Sequence, residues 1–104
     1  MEQYKVQMTE KARMDLRGIY AYIKKELKEP AAADRFYTDI LYAIASLDQM
    51  PERYALVNDE RLAKKRYRIV SMRNHLVFYT VDKDAKTVLV ARILYARRDW
   101  QSIL

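Results

Sequence analysis

Residues 74–95 read NHLVFYTVDKDAKTVLVARILY, and this stretch decides the architecture of the chain. The apolar run from Leu76 to Val81 and the branched-residue run from Thr87 to Leu94 both have strand composition, and the segment Asp82, Lys83, Asp84, Ala85, Lys86 between them is short and charged. That is a β-hairpin. Immediately upstream, Tyr67, Ile69 and Ser71 alternate along a further strand, closed by a turn at Met72, Arg73 and Asn74. Three strands joined by short turns form an antiparallel meander.

Upstream of residue 52 the apolar period is different. Tyr4, Val6 and Met8 alternate with Lys5 and Gln7 and predict an opening strand. Thr9 is then positioned as an N-cap with Glu10 in the first turn, and Ala12, Leu16, Ile19, Tyr20, Ile23 and Leu27 recur at helical spacing. Pro30 interrupts the pattern, and Phe36, Tyr37, Ile40, Leu41, Ile44 and Leu47 resume it until Met50 and Pro51. Two helices with so short a link are antiparallel neighbours. Gly18 inside the first helix disfavours it by roughly 1 kcal/mol against alanine, which predicts a close helix approach there. Residues 52–64 carry no pattern and are read as a connection. Trp100, Ile103 and Leu104 form the apolar side of a short terminal helix.

The expected fold is α+β, in the order β-α-α-β-β-β with a short C-terminal helix. The helical hairpin covers one face of the antiparallel sheet and leaves the other open. At 104 residues and 51% hydrophobic content the chain is a single domain, residues 1–104. It has no cysteine and one histidine, His75, so thiol chemistry and multi-histidine metal sites are excluded, and no metal or cofactor is expected. The N-terminus lacks a signal-peptide pattern and no apolar run approaches the roughly 20 residues of a membrane span, so a soluble cytoplasmic protein without membrane contact is expected.

Charge is distributed unevenly. Residues 1–51 carry eight basic and eight acidic side chains, residues 52–104 twelve and six, and the whole net charge of +6 therefore lies in the second half. Arg61 to Val81 contains no Asp or Glu, and Arg61, Lys64, Lys65, Arg66, Arg68 and Arg73 fall within thirteen residues. Such a segment calls for a negative partner: a nucleic acid, an acidic protein surface or a segment folded over it. With Tyr67 and Ile69 facing the helices, Arg66 and Arg68 would lie on the open face with Arg92, Arg97 and Arg98 beside them. The plain alternative is ordinary solubilising charge on a wet face. Lys64, Lys65, Arg66, Arg68, Arg73, Arg92, Arg97, Arg98 and Trp100 are the candidate target-binding residues. Tyr20, Tyr37 and Tyr67 sit at core spacings, whereas Tyr95 and His75 are candidate functional groups. Asp15, Asp34 and Asp39 form no paired-carboxylate site, and Asp99 is expected to cap the terminal helix.

The segments AxxDLxxIYxYI at Ala12–Ile23, PAAADRFY at Pro30–Tyr37, LDQMP at Leu47–Pro51, NHLVFYTVD at Asn74–Asp82 and ARILYARRDW at Ala91–Trp100 together resemble the RelE/ParE toxins of type II toxin-antitoxin systems. The resemblance implies a small toxin neutralised by a cognate antitoxin, with which it forms a hetero-oligomer. It leaves two targets open. RelE-like members cut ribosome-bound mRNA, and ParE-like members poison DNA gyrase. Arg68 and Arg97 fall where the RelE branch places two basic catalytic residues, with His75 or Tyr95 as a proton-transfer group. Val70 and Leu76 fall where it places two others, and its late tyrosine is missing, with Ile103 or a neighbour there instead. The long hairpin and the HLVFY strand look more like the ParE branch, which implies a gyrase poison acting by binding through residues 95–104 and the basic sheet edge. The alternatives are a metal-independent endoribonuclease and an inactive relative kept as an interaction partner.

Overall fold

The computed structural model describes residues 3–104. Strand β1 (Lys5–Met8) leads into helix α1 (Glu10–Ala21), a π-helical turn at Tyr22–Glu26, and helix α2 (Pro30–Ala45). A short helix α3 (Glu60–Lys64) precedes the meander β2 (Arg68–Met72), β3 (His75–Asp82) and β4 (Thr87–Tyr95), and α4 (Trp100–Ile103) follows it. The sheet order is β1-β4-β3-β2. The meander is antiparallel, and β1 joins it in parallel along β4, from Lys5 opposite Thr87 to Met8 opposite Val90, which makes the sheet mixed.

Thr9 fixes the start of the hairpin in two directions. Its hydroxyl oxygen accepts the Ala12 N–H at 3.0 Å and its O–H donates to the Ala91 carbonyl at 2.7 Å, so the same side chain caps α1 and ties it to β4. Pro30 occupies the first turn of α2, where its missing N–H has no helical partner to lose. The principal core lies between the hairpin and the sheet: Ala12, Leu16, Phe36, Ile40, Ile44 and Leu47 pack against Val70, Val77, Tyr79, Val88, Val90 and Ile93. A bulge between Phe78 and Tyr79 pairs these with Arg92 and Val90, so Ala91 is the extra residue of β4. Val90 and Ile93 thereby both face the hairpin, and Leu94 turns to the far side.

Three expectations are corrected. The far face of the sheet is not open: Val57, Leu62, Phe78 and Leu94 are buried there, with Tyr67, Ile69, Leu76, Trp100, Ile103 and Leu104 packed around them. Residues 52–64 supply part of this cover, because Asp59 caps α3 by accepting the Leu62 N–H at 3.1 Å and Leu62 is fully buried. The parity of β2 is also reversed. Val70 and Met72 face the hairpin while Tyr67 and Ile69 face the second cluster, an assignment alternation could not decide because both sets are apolar. Finally, Gly18 makes no close approach: a Cβ built there meets nothing within 4 Å.

The glycine is thus in a helix, and the turns do without one. Lys28, Met50, Arg66, Arg73 and Lys86 adopt φ between 48° and 67°, the left-handed region that disfavours a side chain.

Candidate functional site

A groove of about 910 Å³ runs between the hairpin and the ends of β3 and β4. Met14, Gly18 and Tyr22 follow one another at four-residue spacing along its helical wall, with Leu27 beyond them. Met14 and Tyr22 are 57% and 56% exposed, so this is an apolar stripe left without a cover by the chain's own side chains. Arg73, His75, Tyr95 and Arg98 line the opposite wall.

His75 and Tyr95 are directly paired in the sheet register, and their rings lie 5.7 Å apart edge to face. The other side of His75 rests on Phe36 at 5.0 Å. Burial between these rings lowers the His75 pKa from its ordinary value, because it disfavours the charged imidazolium. This corner of the groove offers one imidazole, one phenol and the guanidinium of Arg98. Arg73 is occupied by Asp39 of α2 at 3.0 Å.

The remaining cations do not converge. Arg68 stands opposite Tyr79, four residues along β3 from His75, a separation of roughly 13 Å. Its guanidinium donates to the Tyr54 carbonyl at 2.6 Å and pairs with Glu52 at 3.3 Å. Lys83 reaches the same Glu52 at 3.2 Å, and the Tyr79 hydroxyl donates to the Pro51 carbonyl at 2.6 Å. Burial pushes the Tyr79 phenol up to about 12. Together these bonds pin residues 51–54 over the sheet, which accounts for Arg68 structurally.

Arg92 is likewise spent inside the fold. It makes a two-pronged pair with Asp15 of α1 at 2.8 and 2.9 Å, and Asp15 also accepts the Ile93 N–H at 3.0 Å. These hydrogen bonds raise the Arg92 pKa further above its ordinary value. Lys64 pairs loosely with Glu60 at 3.9 Å on the surface. Lys65 and Arg66 lie exposed after α3, and Arg97 and Arg98 lie exposed in the turn after β4. The shared face expected for Arg66, Arg68, Arg92, Arg97 and Arg98 does not form, because Arg68 and Arg92 are turned to partners on the hairpin side and the far face is covered. Trp100 packs on Phe78 with ring centres 5.4 Å apart and closes the second cluster. Asp99 precedes α4 but accepts the Ser102 hydroxyl at 2.6 Å and caps no backbone N–H.

Two tyrosines expected in the core are at the surface. Tyr20 donates to Asp34 at 2.7 Å and meets Tyr37 edge to face at 5.6 Å, clamping the outside of the hairpin. The Asp34 hydrogen bond raises the Tyr20 pKa. Tyr67 does pack into the second cluster. Sequence reasoning passed over Met14, Gly18 and Tyr22 as functional positions. The available signal was their common spacing along α1 and into the π-helical turn, one step aside from the Ala12, Leu16, Ile19, Ile23 stripe that faces the core.

The site therefore offers apolar area with a few polar groups at one end, a surface for binding a chain segment. Among the described residues no group of three or more His, Cys, Asp or Glu side chains is arranged to hold a metal ion, and no helix is long and apolar enough to cross a membrane. No curated protein matches the sequence significantly. Among solved structures the fold is similar to the chromosomal ParDE toxin-antitoxin system from P. aeruginosa, with a TM-score of 0.74 at 22% identity over 91% of this chain and 98% of that one. It is also similar to the RelBE2 toxin-antitoxin complex from Mycobacterium tuberculosis, with a TM-score of 0.64 at 22% identity over 91% of this chain and 93% of that one. The profile of the ParE toxin of type II toxin-antitoxin systems, parDE, matches residues 6–100, and with strand, hairpin and meander in the corresponding order, the chain belongs to that toxin family.

Proposed function

We propose that this toxin arrests growth by binding and poisoning DNA gyrase, without cutting a substrate itself. The observation that carries the reading is the dispersal of the cations. Cleavage of RNA through its 2′-hydroxyl needs a base, an acid and several positive charges around one phosphate. Arg68 is roughly 13 Å of strand away from His75, and Val70 is buried under the hairpin at 6% exposure, out of reach of any phosphate. Binding needs none of that convergence. It needs exposed, pre-ordered surface, which the turn after β4 and α4 supply through Arg97, Arg98 and the helix seated by Trp100.

The cognate antitoxin is assigned the groove. An amphipathic segment laid along Met14, Gly18, Tyr22 and Leu27 would cover the exposed stripe, and an acidic residue at its end would meet Arg98. A cytoplasmic site of action follows from the target. In the deciding experiment, purified toxin is titrated into a gyrase supercoiling assay. Inhibition at concentrations matching those that arrest growth is expected; growth arrest with undisturbed supercoiling overturns the reading.

A second reading has one observation in its favour: the contact of His75 with Tyr95 beside Arg98 places two groups able to exchange a proton next to a guanidinium. It is a ribosome-dependent endoribonuclease. Primer extension on mRNA after induction would then reveal new, codon-phased ends, and unbroken messages exclude it.

A further inference from the structure

The C-terminal helix α4 is four residues long and has no side-chain N-cap. A helix of that length has no stability of its own, so its position is set wholly by what it touches. Trp100 on Phe78, and Ile103 and Leu104 against the second cluster, supply apolar contact. Among the described residues, the side chain from elsewhere in the fold that grips its backbone is Arg61 of α3. The Arg61 guanidinium donates to the Gln101 carbonyl and, at 3.3 Å, to the Leu104 carbonyl. These are carbonyls at the end of a helix, which lack partners within it.

Arg61 is the first cation of the acid-free stretch, and its guanidinium is directed at main-chain oxygens of the C-terminal segment. Both of its hydrogen bonds end on backbone oxygens at positions 101 and 104, forty or more residues along the chain. A fork with fixed donors can bridge two carbonyls spaced by nearly one helical turn, and a lysine ammonium is less suited to do so. We infer that Arg61 is the positioning residue of the C-terminal segment, latching residues 96–104 in a single orientation for the target. This rests on the gyrase reading, in which that segment makes the contact. With the latch gone, α4 stays tethered after β4 but samples undocked states, and Trp100 leaves Phe78 part of the time.

Trp100 is the single tryptophan of the chain, so its fluorescence reports α4 alone. Arg61→Ala is expected to raise acrylamide quenching of Trp100 and shift its emission to the red, reflecting an undocking equilibrium displaced by about tenfold. The thermal midpoint should stay within about 3 °C of the parent, because an exposed side chain is removed from a satellite cluster and not from the main core. Gyrase inhibition should need more toxin by the factor that the quenching shows the docked fraction to have fallen, about twofold where the docking constant drops from about 10 to about 1. Arg61→Lys, which keeps the charge but not the fork, should fall between the two. Unchanged quenching and emission in Arg61→Ala overturns the latch. Increased quenching with undiminished inhibition overturns the positioning role and leaves Arg61 merely structural. If the parent toxin does not inhibit gyrase at all, the proposed target fails, and Trp100 still decides separately whether Arg61 holds the helix.

Discussion

On the hairpin side of the sheet the covering residues Ala12, Leu16, Phe36, Ile40 and Ile44 come from helices of 12 and 16 residues, whereas on the far side Leu62 and Trp100 come from helices of five and four. The long helices hold much of their form through repeated core contacts, while the short ones exist only where their few apolar side chains are seated. The contrast teaches that one sheet serves two purposes. Its hairpin face builds a cooperative frame, and its far face carries a thin layer, fixed by Val57, Leu62, Phe78 and Leu94, that can loosen without unfolding the rest.

The largest effect should come from equal cuts into the two faces. Ile40→Ala removes a fully buried side chain of the frame and should cost about 3–4 kcal/mol in a denaturant titration, lowering the stability of the whole molecule. Leu62→Ala, equally buried, should cost nearer 2 kcal/mol globally and act chiefly by speeding amide exchange in residues 57–66 and 100–104. Equal and global losses would erase the distinction between the faces.

Next in size is the bond that joins hairpin to sheet edge. Asp15→Asn leaves the mostly buried Arg92 uncompensated and should cost about 2 kcal/mol, measured by thermal or chemical unfolding. No loss would mean that Arg92 finds other solvation. Smaller still is a pH effect on the groove. Because burial lowers the His75 pKa, the fold favours the neutral ring, and the unfolded chain binds the proton more readily. Stability should therefore fall as pH drops below about 6.5, and His75→Phe should flatten that part of the profile. A slope unchanged in the variant assigns it to another group.

The smallest effects concern misplaced backbone freedom. Lys28 has φ of 54° and should be relieved by Lys28→Gly, a gain of about 1 kcal/mol. Gly18→Ala, with open space around the new methyl, should add about 1 kcal/mol through helix propensity. A destabilised Gly18→Ala would mean that the hairpin packs more closely than this structure describes.

Much of the frame was legible before any coordinates. Thr9, the turn at Asp82–Lys86 and the apolar rows of α1 and α2 each encode local geometry, and local geometry is what periodicity reports. Parity in β2 was not legible, since Tyr67, Ile69, Val70 and Met72 leave both faces apolar. Nor was the cover of the far face, because α3 is shorter than two turns and Val57 and Leu62 sit in a polar background. The site suffered most. Whether Arg68 and Arg92 are free depends on Glu52 and Asp15, 16 and 77 residues away, and composition counts charges without pairing them. The acid-free stretch was a real feature, but three of its six cations, Arg68, Arg73 and Arg61, point to Tyr54, Asp39 and the end of α4, and the six make no common surface.

Native-state hydrogen exchange tests the two-sided account most directly. The account predicts that amides of α2, β3 and β4 exchange only with global unfolding, while those of α3 and α4 exchange through an earlier local opening that Arg61→Ala accelerates further. If α3 and α4 instead exchange in step with the hairpin, and Arg61→Ala leaves them unchanged, the far face is part of one cooperative frame and the account is wrong.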